Sequence, residues 1–254
     1  MDQPVMVAVG MKFIPVTTEF WLRKYGVGFL RPLLRHLDRP LHDFKYNVYS
    51  QNGEDGVIEE LFRRLDIRSG WVVEFGAWDG AHLSNTFRLI ERNRGFRAVY
   101  IEGDEERFGK LQCTAGKFKN RIVPICAFVQ PDGARSLDKL LGSVSVPHDF
   151  ELLSVDVDGI DYQIWERLSE YSPKVVVIEI NSSMPPHKEQ IHGAGAQGSS
   201  FSSMLKLGRA KGYACVCHIG NMFFVRNDLL SKVGLNDKYL SAPELLFSRL
   251  WLNS

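Results

Sequence analysis

From about residue 46 onward, short apolar runs alternate with segments whose apolar residues recur every three or four positions. The first amphipathic segment runs from about Gly53 to Leu65, with Val57, Ile58, Leu61, Phe62 and Leu65 on one face. Asn52 followed by Asp55 resembles a capping box that opens this helix. Trp71–Phe75 is a buried first strand, followed by a helix over about 84–92. Strands are predicted at 98–102, 122–128, 152–156 and 175–180, and helices at 105–113, 136–141 and 162–168. The Val-Val-Val-Ile run at 175–178 is β-branched throughout, which suits the pleated strand surface. After a polar loop, a helix at about 201–211 ends at Gly212. Two last strands, 213–217 and 222–226, are joined by His-Ile-Gly-Asn. That linker is too short for a crossover helix, so the two pair antiparallel. The pattern predicts an α/β fold: a Rossmann-like, mostly parallel sheet with helices on both faces and an antiparallel C-terminal hairpin.

Residues 1–45 break this pattern. Phe20, Trp21, Leu22, Phe29, Leu30, Leu33 and Leu34 interleave with Arg23, Lys24, Arg31 and Arg35, and Pro32 and Pro40 interrupt them. The segment reads as a basic amphipathic extension of one or two short helices, serving as a lid or packing a dimer. A basic amphipathic surface also suits attachment to a membrane. The organisation expected is extension 1–45 and main domain 46–254.

Composition narrows the function classes. The 254 residues carry 31 Lys and Arg against 30 Asp and Glu, a net charge of +1. This balance argues against a nucleic-acid partner, which usually demands a basic excess. With 44% hydrophobic and 24% charged residues, the chain is a folded protein rather than a disordered one. Four cysteines are too few for a disulfide scaffold, and Cys215-Val-Cys217 reads as small buried side chains on a strand. No apolar run reaches the roughly 18 residues of a membrane span. Val5–Met11 is short and follows Asp2 rather than a basic stretch, so no signal peptide is expected and the location expected is cytoplasmic.

Candidate chemistry begins where the first strand ends, in Val-Val-Glu-Phe-Gly-Ala-Trp-Asp-Gly-Ala at 72–81. In open α/β sheets ligands bind beyond the carboxyl ends of the strands. Gly76 and Gly80 allow close backbone approach, yet they do not form Gly-x-Gly-x-x-Gly. Glu74 and Asp79 flank them. Carboxylates there repel a diphosphate and suit a ligand that carries an amine and a sulfonium cation. The next strand ends in Glu102, whose carboxylate is placed to accept both hydroxyls of a ribose.

Taken together, Glu-Phe-Gly-x-x-Asp-Gly, Ile-Glu-Gly-Asp, Leu-Leu-Ser-Val-Asp-Val-Asp-Gly-x-Asp-Tyr and Val-Ile-Glu-Ile-Asn resemble the class I S-adenosylmethionine-dependent methyltransferases. Within them the chain is most similar to the FkbM-type group, which also shares Tyr-Ser-Gln-Asn-Gly-Glu-Asp-Gly at 49–56 and the Lys-Gly-Tyr…Gly-Asn-x-Phe-Phe-Val-Arg pattern at 211–226. The likeness covers about residues 46–228. It implies a seven-stranded sheet with the last strand inserted antiparallel. It also implies Glu74 and Gly76 along the methionine part of the cofactor, with Asp79 and Gly80 in the same loop. Glu102 would lie on the ribose, and Cys126 and Ala127 near the adenine.

A second acidic cluster comprises Asp156, Asp158 and Asp161 past the fourth strand, and Glu179 and Asn181 at the fifth. Adjacent parallel strands lie about 4.8 Å apart, so these groups converge, and clustered carboxylates call for a proton or a cation. The set resembles that of metal-dependent O-methyltransferases, which implies a divalent ion such as Mg²⁺ on Asp156, Glu179 and Asn181. The chain departs from that pattern in the single residue between Glu179 and Asn181, which either keeps both on one face or takes one out of the site. In the other reading Asp158 and Asp161 cap the next helix, and Asp156 binds backbone amides or the cofactor. Candidates for the base that deprotonates an acceptor hydroxyl are Asp158, His187 and His192, the histidines standing in the long loop 182–200. His82 lies in the cofactor loop, and His148 lies at the wrong end of the sheet.

The function expected is an S-adenosylmethionine-dependent O-methyltransferase of a sugar or glycan hydroxyl, assisted by a divalent metal and assembled as a homodimer; the resemblance alone supplies the carbohydrate. Rival readings are a metal-independent methyltransferase of a small natural product and a non-catalytic binding module. A nicotinamide-dependent oxidoreductase is disfavoured by the missing third glycine and the acidic loop.

Overall fold

In the strands without a register shift, side chains at even and odd positions enter different hydrophobic clusters, as the two-residue repeat requires. Val73, Phe75, Val99, Ile101, Leu153 and Val176 pack with one set of helices, and Val72, Ala98, Tyr100, Leu152, Val175 and Val177 with another. The computed structural model describes residues 5–9, 12–16, 39–157, 159–193 and 195–248. The chain divides into two units, residues 1–39 and residues 40–254.

In the first unit β1 (Val5–Val9) and β2 (Lys12–Val16) form an antiparallel hairpin with Val5 opposite Val16. The helical reading of Phe20 to Arg35 lies outside the described residues.

The second unit contains the seven-stranded sheet. Its strands are β3 (Gly70–Phe75), β4 (Phe96–Glu102), β5 (Ile122–Cys126), β6 (Leu152–Val155), β7 (Val175–Ile178), β8 (Tyr213–Ile219) and β9 (Asn221–Arg226). Their order is β5-β4-β3-β6-β7-β9-β8. The pairs among β3 to β7 are parallel, and β9 runs antiparallel to both β7 and β8. This is the Rossmann-like, mostly parallel sheet with an antiparallel C-terminal pair. The switch in strand order falls between β3 and β6, which opens a crevice at their carboxyl ends.

Helices α1 (Glu54–Leu65), α2 (Phe87–Arg92) and α3 (Glu105–Lys117) contribute to one face through Leu61, Ile90 and Leu111. Helices α4 (Leu137–Gly142), α5 (Asp161–Arg167) and α6 (Phe201–Ala210) contribute to the other through Leu141, Trp165 and Met204. Two short helices, α7 (Leu230–Val233) and α8 (Asp237–Ser241), follow. Cys215 and Cys217 are both buried, and the register shift between them sends them to different faces. Among the described residues, no helix is long and apolar enough to cross a membrane.

The start of α1 differs from the capping-box expectation. Its N-cap is Gly53, in a left-handed conformation at φ 106°, with no side-chain cap. Asp55 instead reaches backward: its Oδ2 accepts N–H bonds from Val48 at 2.7 Å, Tyr49 at 2.8 Å and Ser50 at 3.0 Å. Three amides that converge on one buried carboxylate oxygen outweigh a single capping bond.

One buried histidine ties the β8–β9 turn to the loop after β7 and to the C-terminal segment. His218 Nδ1 accepts from Ser248 N at 3.0 Å, so Nε2 carries the proton and donates to Ser182 Oγ at 2.8 Å. Ser182 Oγ in turn donates to the Gly220 carbonyl at 3.0 Å. Burial pushes the His218 pKa down to about 4. As pH falls, the unfolded chain therefore protonates this imidazole first, at its ordinary value near 6.5, and stability is lost between there and pH 4. We expect this residue to account for about 3 kcal/mol of that loss. Urea unfolding at pH 7 and at pH 4.5 should show a steeper fall for wild type than for His218→Gln; parallel curves would contradict it.

Candidate active site

Three left-handed positions within five residues shape the loop after β3: Gly76 at φ 74°, Trp78 at φ 49° and Gly80 at φ 82°. Gly76 is exposed on the crevice floor, and a Cβ there would lie 2.0 Å from the Asp156 carbonyl oxygen. A Cβ on Gly80 would lie 2.7 Å from Leu111 Cδ1. Trp78 is a bulky residue in a region it rarely adopts, so something must hold it there. Glu102 does so: its Oε2 accepts from Trp78 N at 2.8 Å, and its Oε1 accepts from Asp104 N at 2.8 Å. Asp79 Oδ1 closes the loop by accepting from Ala81 N at 2.9 Å and His82 N at 2.7 Å. The Trp78 ring meets the His82 ring edge-on and lies beneath the Arg107 guanidinium, 4.4 Å from its centroid.

The Glu102 residue is only 5% exposed, yet each of its oxygens holds one amide and keeps a further lone pair. Cys126 stands opposite Glu102 in the β4–β5 register, and Ala127 N donates to the Glu102 carbonyl at 3.0 Å. The structure thus gathers Gly76, Asp79, Gly80, Glu102, Cys126 and Ala127 at the carboxyl ends of β3, β4 and β5. Phe128, 61% exposed, lies against Gly103 at the same rim.

Glu74 has a different setting. It sits on the face covered by α1 to α3, where Oε1 accepts from Asn85 N at 2.9 Å and Oε2 accepts from Ser84 Oγ at 2.7 Å. Thr86 adds bonds to Oε2 from N at 3.2 Å and Oγ1 at 2.5 Å. Burial raises the Glu74 pKa, and the Ser, Thr and amide donors oppose that rise. Its carboxylate therefore positions residues 84–86, which lead into α2.

Two cavities lie beyond β6 and β7, and Glu179 borders both. One, of about 160 Å³, also has Gln51, Asn52, Glu54, Asn85, Asp156 and Asn221 in its wall. Glu54 Oε2 accepts from Asn52 N at 2.7 Å, Oε1 accepts from Asn221 Nδ2 at 3.3 Å, and burial raises the Glu54 pKa. The other, of about 230 Å³, is lined by Asn181, Asp161 and residues 197–199 of the long loop.

Of the expected metal ligands, Glu179 borders both cavities, with Asp156 beside it on the first and Asn181 on the second. Asn181 Oδ1 accepts from Ser183 Oγ at 2.6 Å, and its Nδ2 donates to the Gln197 carbonyl at 2.8 Å. Among the described residues, no three His, Cys, Asp or Glu side chains come together as a metal site. Asp161 is spent on its own loop, accepting from Val157 N and Gly159 N at 2.9 Å each. Asp158 lies outside the described residues. His187 is exposed in the long loop. The His192 ring packs against Gly159, and its Nδ1 accepts from Gly198 N at 3.1 Å. A neutral imidazole that accepts at Nδ1 carries its proton on Nε2, so neither nitrogen is open to take one from a substrate.

No family model matches this chain. No curated protein matches it either. Among solved structures, it is similar to a Pyrococcus horikoshii protein assigned as an RNA methyltransferase, at 12% identity and a TM-score of 0.45, over 77% of this chain and 97% of that one. It is also similar to a SAM-dependent methyltransferase from Aquifex aeolicus, at 10% identity and a TM-score of 0.41, over 76% and 95% of the two chains. A third is M. jannaschii TYW2 in complex with AdoMet, at 14% identity and a TM-score of 0.39, over 70% and 75%. At these identities and TM-scores the function has to be read from this chain's own geometry.

Several wall residues have no separate sequence signal. Asn85 reads as an ordinary loop amide, and Gln51, Glu54 and Asn221 belong to the shared 49–56 and 211–226 patterns without a role attached, while Asn52 reads only as a helix cap. Gly76→Ala tests the crevice floor. With φ in the left-handed region and no room for a Cβ, we expect a loss of about 2–4 kcal/mol in chemical denaturation. A change below 0.5 kcal/mol would show that the floor is not tightly packed.

Proposed function

We propose that this chain is an S-adenosylmethionine-dependent O-methyltransferase whose acceptor is a sugar or glycan hydroxyl. The observation that carries the acceptor class is the wall of the 160 Å³ cavity, in which side-chain amides and carboxylates outnumber the apolar Leu83 and Ile180, with no aromatic ring and no cation. Such a wall offers both donors and acceptors, the requirement of vicinal hydroxyls. A flat aromatic acceptor would find no stacking surface there.

The donor's place is supported by Glu102, whose remaining lone pairs suit two ribose hydroxyls, and by the exposed backbone at Gly76. Asp79 and Asp156 add negative charge suited to an ammonium and a sulfonium. S-adenosylmethionine supplies a methyl group on a sulfonium sulfur, which departs as a neutral thioether. The chain's task is to orient the hydroxyl and remove its proton. In this reading Asn52, Asn85 and Asn221 fix the acceptor, and the Glu179 carboxylate takes the hydroxyl proton as the oxygen forms its bond to the methyl carbon. A divalent ion on Asp156, Glu179 and Asn181 is the metal-assisted version of this reading; in it the ion would lower the pKa of the bound hydroxyl and orient it toward the methyl group.

Calorimetry with S-adenosylmethionine tests the donor site. Glu102→Ala should weaken binding by about 1–3 kcal/mol, the scale of lost charge-assisted hydrogen bonds. An unchanged dissociation constant refutes the Glu102 assignment, and no binding to wild type sinks the whole reading. For the acceptor site, methyl transfer to a panel of glycosides is the measurement. Glu179→Gln should lower kcat about 10²–10⁴-fold, the usual worth of general base catalysis, with donor affinity intact. Asn221→Ala should raise the acceptor KM instead, and activity confined to aromatic phenols would overturn the carbohydrate class.

A further inference from the structure

Glu179 and Ile180, at the carboxyl end of β7, stand in the walls of both cavities beyond β6 and β7, so the two adjoin along one strand end. The acceptor reading uses only the first. At about 160 and 230 Å³, each is smaller than the roughly 300–1,000 Å³ of a site that encloses a whole drug-sized ligand. Each therefore suits one ring of a larger molecule.

The second cavity has a fastened outer wall, residues 197–199 of the long loop. Asn181 N donates to the Ser199 carbonyl at 2.9 Å, and Asn181 Nδ2 to the Gln197 carbonyl at 2.8 Å. Gln190 Nε2 donates to the Gly198 carbonyl at 3.2 Å. Those backbone acceptors are taken, so neutral side chains are left to meet a ligand. Gln197 is exposed, and its side-chain amide has no hydrogen-bond partner among the described residues. Ser183 Oγ donates to Asn181 Oδ1 and keeps its lone pairs, whereas Ser199 Oγ accepts from His192 N at 3.2 Å and keeps its O–H. The three offer donors and acceptors together, as a second set of hydroxyls requires.

Charge narrows the ligand further. Among the described residues, no Lys, Arg or His lines either cavity, while Glu54, Asp156, Asp161 and Glu179 each line one or both. A phosphate or diphosphate there would meet carboxylates and no counter-charge. A divalent ion on Asp156 and Glu179 would offset those two acids and still leave no cationic excess. The walls suit a neutral glycan rather than an activated sugar.

We propose that the 230 Å³ cavity is a subsite for the sugar next to the one methylated, so that the acceptor is a neutral glycan of at least two units. The reactive sugar occupies the first cavity, the glycosidic bond passes Glu179 and Ile180, and the neighbouring ring meets Ser183, Gln197 and Ser199. A glycosyl transfer must then come first and supply this acceptor. The inference rests on the methyl-transfer reading and adds to it the length and charge of the acceptor.

The test follows methyl transfer by the full chain to glucose, galactose, mannose and rhamnose, each as methyl glycoside, homodisaccharide and nucleoside diphosphate sugar. The sugar that reacts should show a kcat/KM at least tenfold higher as the disaccharide than as the methyl glycoside. As the nucleoside diphosphate it should be at least tenfold poorer than the methyl glycoside. Gln197→Ala should lower kcat/KM for the disaccharide about fivefold, the scale of one neutral hydrogen bond, and leave the methyl glycoside unchanged. Gln197 is an exposed loop residue, and an unaltered affinity for S-adenosylmethionine shows that the variant is folded. Equal efficiency of disaccharide and methyl glycoside, a preference for the nucleoside diphosphate sugar, or a Gln197→Ala loss shared by both acceptors would overturn the subsite and leave the methyl-transfer reading standing. No turnover of any sugar in any form would overturn that reading and the subsite with it.

Discussion

One carboxylate ties the crevice together. Glu102 ends β4 and grips the backbone of Trp78 from one loop and of Asp104 from the next. These are charge-assisted bonds in a nearly water-free setting, where they are at their strongest. They hold Trp78 in a left-handed conformation that its side chain disfavours, and so keep the 76–80 loop folded back from the strand ends. The open floor at Gly76 and the free lone pairs of Glu102 itself follow from that arrangement. The residue read as gripping a ribose thus also builds the place where a ribose would lie.

Glu74 anchors residues 84–86 ahead of α2, and Glu54 and Asp55 do comparable work at the start of α1. The last two are neighbours with opposite duties. Glu54 faces the acceptor cavity and fixes Asn52 and Asn221. Asp55 reaches back and gathers the amides of Val48, Tyr49 and Ser50. A helix advances 100° per residue, so consecutive acids necessarily serve different surfaces. The Tyr-Ser-Gln-Asn-Gly-Glu-Asp-Gly segment is thereby a hub of backbone hydrogen bonds that shapes one cavity wall, with its chemistry concentrated in two side chains.

Where residue patterns misled, local competition was the cause. The capping-box spacing at Asn52 and Asp55 was sound, but three preceding amides converge on the aspartate, which leaves Gly53 to start the helix alone. Asn181 reads as a metal ligand by spacing, and residues 183 and 197 of the long loop also hold its amide, a contact that spacing does not reveal. His192 lost its standing as a base in the same way, through the Gly198 amide on Nδ1. In each case a polar side chain was claimed by backbone that lies close in space but whose position the sequence does not encode locally.

The succession of strands and helices, the antiparallel closing pair, the glycine loop after β3 and the acid that ends β4 were all legible from residue order. They depend on short-range periodicity, on linker length and on glycine's freedom at positive φ, which are local properties. Element ends shifted by a few residues, because fraying and capping are settled by packing. The membership of each cavity was not legible. Asn85, Asp156, Glu179 and Asn221 are separated by as many as 136 positions and meet only because β3, β6, β7 and β9 lie side by side. Which polar atom remains open to a ligand depends on every donor and acceptor folded around it, so that question was decided by the tertiary structure alone.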